Sequence, residues 1–248
     1  MTHEPLHRRL LAEALGTTLL LATVVGSGIM SSRLAGENIG LALLCNAVAT
    51  AAILVVAITT LGPVSGAHLN PAVSLAMAME RRIGWTSLTP YVAAQFTGAI
   101  LGLVVAHAMF DMPLLQLSTT ARTGFGQWLG EAIATYGLVL TILGCLARAP
   151  RSTPTAVGLY ILAAYWFTSS TSFANPAVTV ARMLTNSFAG IAPADGPAFI
   201  VSQIVGMLAA IATGKVLWPV AGPVSGAPAA PLPPAGCGCA PGGSCRAS

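Results

Sequence analysis

The sequence predicts an all-α membrane protein: six transmembrane helices plus two re-entrant half-helices, arranged as an inverted repeat. Three observations predict it. Only 7% of the 248 residues are charged and 55% are hydrophobic, with mean hydropathy +0.78; a soluble domain carries about 25% charged residues. Six long apolar stretches can be drawn, and between them Asn-Pro-Ala-Val occurs twice, at Asn70–Val73 and Asn175–Val178. An ordered set of polar landmarks recurs once in each half of the chain. The formal charge of +4 is therefore no nucleic-acid signal; the positions of the charges matter instead.

The apolar stretches run over 10–30, 39–61, 91–110, 128–147, 155–169 and 197–218. A helix needs about 20 mostly apolar residues to cross a bilayer. The first run lacks a small-residue cleavage context and reads as a span, not a removable signal. The fifth is short, as expected of a span ending near a loop. Cys45 and Cys145 lie inside spans and read as packing residues. The first Asn-Pro falls between the second and third spans and the other between the fifth and sixth. Proline is pre-set for the first helical position and Asn is a favoured N-cap. The apolar runs that follow, Val73–Met79 and Val178–Leu184, are about half a span long.

The repeat is legible within the one chain. Glu13-x-x-x-Thr17 matches Glu131-x-x-x-Thr135, the two Asn-Pro-Ala-Val stretches match, and Gln95-x-x-Gly98 matches Gln203-x-x-Gly206. Three spans per half is odd, so the halves, about 8–110 and 125–218, sit in opposite orientations. That is the inverted-repeat logic of transport proteins, with the functional site near the midplane. With a cytoplasmic N-terminus, the inner side holds Arg8, Arg9, Arg81, Arg82, Arg148, Arg151, Lys215 and Arg246. The outer side then holds only Arg33, Arg122 and Arg182. This distribution favours both termini inside.

A half-helix exposes unsatisfied N–H groups and partial positive charge at its first turn. Two such helices from opposite faces place both positive ends at the bilayer centre, an arrangement known to exclude protons and cations from pores of this type. Asn70 and Asn175 would then offer side-chain donors to a passing neutral solute; the plainer alternative is that they only cap helices. The non-helical backbone before each Asn needs partners in lipid, so the carbonyls of residues 66–69 and 171–174 are expected to line the pore. Gln95 and Gln203 read as helix-packing residues.

A twice-repeated Asn-Pro-Ala, the first inside Ser65-Gly-Ala-His-Leu-Asn-Pro-Ala-Val73, resembles the aquaporin and aquaglyceroporin family over roughly residues 8 to 218. The resemblance implies an aquaporin-like right-handed bundle, a homotetramer with one pore per subunit, and no cofactor. It makes Asn70, Pro71, Ala72, Asn175, Pro176 and Ala177 the pore constriction. His68 takes the inner mouth, with a buried His bonded to backbone as the alternative. Glu13 and Glu131 are implied to accept hydrogen bonds from the re-entrant loops, with a proton relay as the alternative.

The sequence departs from the family at the outer filter. Most members carry Arg directly after the second Asn-Pro-Ala; here it is Val178. Spacing carries the remaining filter positions to Thr50, where water-selective members have a bulky aromatic, and to Ser172. For the fifth span, counting back from Asn175 gives Ala163 and counting forward from Gly158 gives Tyr165, which is slightly preferred. A Val-containing filter resembles the bacterial channels encoded with arsenic-resistance genes, which implies passage of neutral As(OH)3 and methylated arsenicals. Arg182, four residues after Val178, shares its helix face. It is expected either to line the outer vestibule or to snorkel to headgroups or anchor a loop.

Residues 220–248 are rich in Pro, Gly, Ala and Ser and read as a disordered cytoplasmic tail. Cys237, Cys239 and Cys245 there are weak candidates for holding a thiophilic ion, or are incidental. Two functions compete: a passive plasma-membrane channel for small neutral solutes, and an ion-coupled inverted-repeat transporter using Glu13 and Glu131. No nucleophile–base pair occurs in the spans, which argues against an enzyme.

Overall fold

The computed structural model describes residues 4–219; the tail and its cysteines, Cys237, Cys239 and Cys245, lie outside the described residues. Among the described residues eight α-helices follow one another: α1 (Leu6–Leu34), α2 (Ile39–Ser65), α3 (Pro71–Met79), α4 (Trp85–Met109), α5 (Phe125–Arg148), α6 (Thr153–Phe167), α7 (Pro176–Arg182) and α8 (Gly196–Leu217). Among the described residues, α1, α2, α4, α5 and α8 are long and apolar enough to cross a membrane unaided. The sixth crossing, α6, has 15 residues. That is about 22 Å of helix against a hydrocarbon core of about 30 Å. A 3-10 turn, Pro150–Ser152, precedes it, and a non-helical stretch follows it to Asn175.

Each long helix reaches beyond its apolar run. Helix α1 begins at Leu6 and includes Arg8 and Arg9, and α4 begins at Trp85. Hydropathy marks the lipid-embedded middle of a helix, whereas hydrogen bonding continues into the polar turns at either end. Trp85, Trp128 and Trp166 sit within a turn of the ends of α4, α5 and α6 and are exposed, the placement of membrane-interface anchors. Outward-facing Leu, Ile and Val side chains cover the spans between them. Cys45, inside the α2 span, belongs to that outward set and is exposed.

The two halves pack alike. Helix α1 lies against α2 and α4, as α5 lies against α6 and α8, and α2 against α6 joins the halves. Each half-helix also touches the other half, α3 against α8 and α7 against α4. The repeated glycines explain the closest pairs. A Cβ on Gly98 would strike the carbonyl oxygen of Ala14, and a Cβ on Gly206 that of Ala132. Bare glycine is what lets these backbones approach. The Gln three residues earlier lies on the same helix face, so Gln-x-x-Gly places one polar arm and one close contact on a single seam.

Candidate functional site

The site is built from two short backbone stretches that face one another. Helix α2 ends at Gly66, which caps it in the left-handed region at φ 91°. Ala67 and Leu69 follow at φ 46° and 51°, and in the second stretch Thr171, Ser172 and Ala174 take 60°, 53° and 49°. Gly66, Ala67 and Leu69 stand at the same distances before Asn70 as Thr171, Ser172 and Ala174 before Asn175, so the strain repeats position for position. Left-handed non-glycine residues cost about 1–3 kcal/mol each and persist only where the surroundings impose them.

Glu13 and Glu131 impose them. Glu13 accepts from the backbone amides of His68 (2.9 Å) and Leu69 (2.7 Å), and from Ser65 Oγ (2.7 Å). Glu131 accepts from the amides of Phe173 (2.8 Å) and Ala174 (2.9 Å). Both carboxylates are fully buried. Gln95 Nε2 donates to Glu13 (2.7 Å) and to Ser74 Oγ of α3 (2.8 Å), and Gln203 Nε2 donates to Glu131 (2.6 Å) and Thr179 Oγ1 of α7 (2.9 Å). The glutamines are thus not mere helix-packing residues. Each ties a carboxylate to a half-helix with both of its amide hydrogens, a role their apolar surroundings in the sequence did not suggest.

Asn70 and Asn175 start the half-helices. Asn70 Oδ1 accepts from the amides of Ala72 (2.9 Å) and Val73 (3.5 Å), and Asn175 Oδ1 from Ala177 (3.0 Å) and Val178 (3.3 Å). Pro71 and Pro176 occupy the first helical positions. Each Asn Nδ2 also crosses to the other loop, Asn70 to Ala174 O (2.7 Å) and Asn175 to Leu69 O (2.8 Å). One amide hydrogen of each Asn therefore remains for another acceptor. The carbonyls of Leu69 and Ala174, expected at the pore wall, are already engaged by the asparagines. Those of residues 66–68 and 171–173 accept from no group among the described residues.

A passage runs along these loops. Its wall includes Asn70 and Asn175, with His68 toward one mouth and Thr50, Tyr165, Ser172, Val178 and Arg182 toward the other; apolar residues of α1, α2, α5 and α6 form the facing side. It opens past His68 into a vestibule of about 400 Å³ bearing Arg9 and Arg82. His68 Nδ1 lies 3.0 Å from Ser74 Oγ, a side-chain partner where a backbone one was the alternative. Tyr91, packed against His68, receives a hydrogen bond from Arg9 Nε (2.7 Å) and donates one to Ser65 O (2.9 Å). Tyr165 OH sits 3.2 Å from Thr50 Oγ1. Ala163 is exposed on the outer face of α6 and absent from the wall, which corrects the count made back from Asn175. Two residues turn a helix by about 200°, so Ala163 and Tyr165 cannot share a face.

Arg182 is buried, donates from Nε to Ala189 O, and lies over the Phe173 ring with Cζ 3.4 Å from its centroid. It both ties a loop and borders the passage. Arg122 also lies over Phe173, at 5.1 Å, and donates to Gly190 O (2.9 Å) and Ser170 O (3.4 Å). Burial pushes the Arg122 guanidinium below its ordinary value. No cluster of three metal-ligating side chains occurs among the described residues.

Paired half-helices on a buried, two-fold repeated frame decide the class, and comparison with known proteins agrees. The family model described as major intrinsic protein matches residues 1–169. This chain belongs to the major intrinsic protein family. It is 52% identical over 219 residues to the aquaglyceroporin AqpS of Rhizobium meliloti (strain 1021), covering 88% of this chain and 94% of that one. It is 33% identical over 194 residues to aquaporin NIP2-1 of Zea mays, covering 74% of this chain and 64% of that relative. Among solved structures, the aquaglyceroporin from Plasmodium falciparum superposes with a TM-score of 0.66 at 20% identity, covering 87% and 97% of the two chains; that likeness is one of fold. A major intrinsic protein of this kind is a multi-pass membrane channel for small uncharged solutes and not an enzyme.

Proposed function

We propose that this channel passes water together with larger neutral solutes, glycerol-like polyols, arsenous acid and methylated arsenicals, through a filter made by Thr50, Tyr165, Ser172 and Val178. The observation that carries the reading is Val178 in the passage wall, where the family resemblance implies an arginine. An aliphatic side chain there neither narrows the pore nor demands a hydrogen-bond acceptor of the solute. The two Asn-Pro-Ala motifs form the midplane constriction, the Arg182 mouth faces outward, and the His68 mouth faces the cytoplasm with both termini. The channel resides in the plasma membrane as a homotetramer.

Ion-coupled transport is the weaker reading. Glu13 and Glu131 spend their oxygens on loop amides and glutamines, and neither borders the passage. Stopped-flow measurement on proteoliposomes separates the two. The channel reading expects downhill glycerol and arsenite flux that does not saturate and ignores proton and sodium gradients. Strict dependence on either gradient overturns it.

A further inference from the structure

The Arg182 mouth holds more positive charge and more unused donors than a neutral solute needs. Arg182 has five N–H groups, and only Nε–H has a partner among the described residues. Arg182 is 2% exposed and borders the passage, and its remaining donors have no partner among the described residues. Ser172 Oγ, in the same wall, is buried without any hydrogen-bond partner among the described residues. Arg122 brings a second guanidinium to the same Phe173 ring. Glu131 is the acid whose charge acts on both Arg122 and Arg182, and its oxygens are spent on loop amides and Gln203. Asp195 accepts from the backbone amide of Arg122 at 2.7 Å, and neither acid forms an ion pair within 4 Å among the described residues. The wall itself contains no carboxylate.

A buried, fork-shaped cation with free donors, sharing a wall with an orphan hydroxyl, matches a planar or tetrahedral oxyanion better than any neutral polyol. We propose that Arg182 and Ser172 form a receiving site for a small monovalent oxyanion, and that its occupancy closes the passage to neutral solutes. Arg122 is a positioning residue: through Phe173 and its bonds to Ser170 O and Gly190 O it holds the loop that carries Ser172 and adds to the local potential. The site rests on the filter reading above but makes a separate claim, since neutral flux through the pore does not require an anion to bind there.

The test is glycerol flux into proteoliposomes in sodium nitrate against sodium gluconate at equal ionic strength. Nitrate is planar, carries three acceptors and stays charged at all working pH values. The expected result is saturable inhibition by nitrate, half-maximal at about 10 mM as befits a weak single-ion site. The inhibition is lost in Arg182→Gln and weakened in Ser172→Ala. It is weakened in Arg122→Gln and restored in Arg122→Lys, which keeps the charge. Nitrate acting no differently from gluconate on the parent channel overturns the site without recourse to variants, as does equal inhibition of folded Ser172→Ala. Absence of glycerol flux in gluconate would instead strike the filter reading.

Discussion

Asn70 and Asn175 each hold the other's loop: Asn70 Nδ2 donates to Ala174 O at 2.7 Å, and Asn175 Nδ2 donates to Leu69 O at 2.8 Å. The two half-helices are therefore fixed tip to tip by a reciprocal pair of bonds. Replacing either Asn by Asp keeps the cap acceptor but removes the crossing donor and adds a negative charge where the helix ends supply positive potential. Asn70→Asp and Asn175→Asp are expected to admit sodium or protons that the parent excludes, read as a shift in reversal potential in planar bilayers. If both conduct neutral solutes and exclude cations as the parent does, the paired helix ends do not set the cation barrier.

Glu13 accepts four hydrogen bonds and releases none. Glu13→Gln replaces one acceptor oxygen by a donor facing donors. Breaking a buried, fully bonded charged group costs about 3 kcal/mol or more. The variant is expected to unfold in detergent well below the parent. A structural role predicts no change in the proton conductance of whatever folded protein remains. Intact stability with altered proton conductance would support a relay instead.

Much of this frame is legible in the sequence. Asn-Pro fixes where α3 and α7 begin because capping and proline geometry are local. The order Glu, Asn-Pro-Ala, Gln-x-x-Gly exposes the repeat. Other features need the fold. Gln95 and Gln203 become loop supports only once α4 meets α1 and α8 meets α5. Arg122 lies in a loop remote in sequence from Phe173, whose ring it shares with Arg182. The choice between Ala163 and Tyr165 depended on a loop length that counting from either end gave differently, and only the face of α6 resolves it.

The glutamine link is testable apart from the carboxylates. Gln95→Met keeps the volume but leaves Glu13 one donor short and Ser74 without its α4 partner. A loss of about 1–3 kcal/mol is expected, seen as a lower unfolding temperature in detergent with the Asn-Pro-Ala constriction still selective. Parent-like stability would return Gln95 to a packing role.

Gly206 tests the close approach of α5 and α8. Gly206→Ala drives a methyl group into the Ala132 carbonyl, and overpacking of this kind costs about 1–3 kcal/mol. Thermal unfolding should fall, and Gly206→Leu should not yield folded protein. An unaffected Gly206→Leu would show that the helices separate more readily than the packing implies.

On the proposed filter, solute choice turns on Val178, and the ratio of glycerol to water permeability in Val178→Arg proteoliposomes tests it most directly. An arginine added opposite Thr50 and Tyr165 narrows the wall and demands acceptors of the solute. Pore diameter and lining donors set such selectivity, so the ratio is expected to fall by about tenfold or more through loss of glycerol flux, with arsenite flux falling alongside and water largely spared. Glycerol flux at the parent level in correctly folded Val178→Arg would contradict the account, because the filter would then lie elsewhere in the passage.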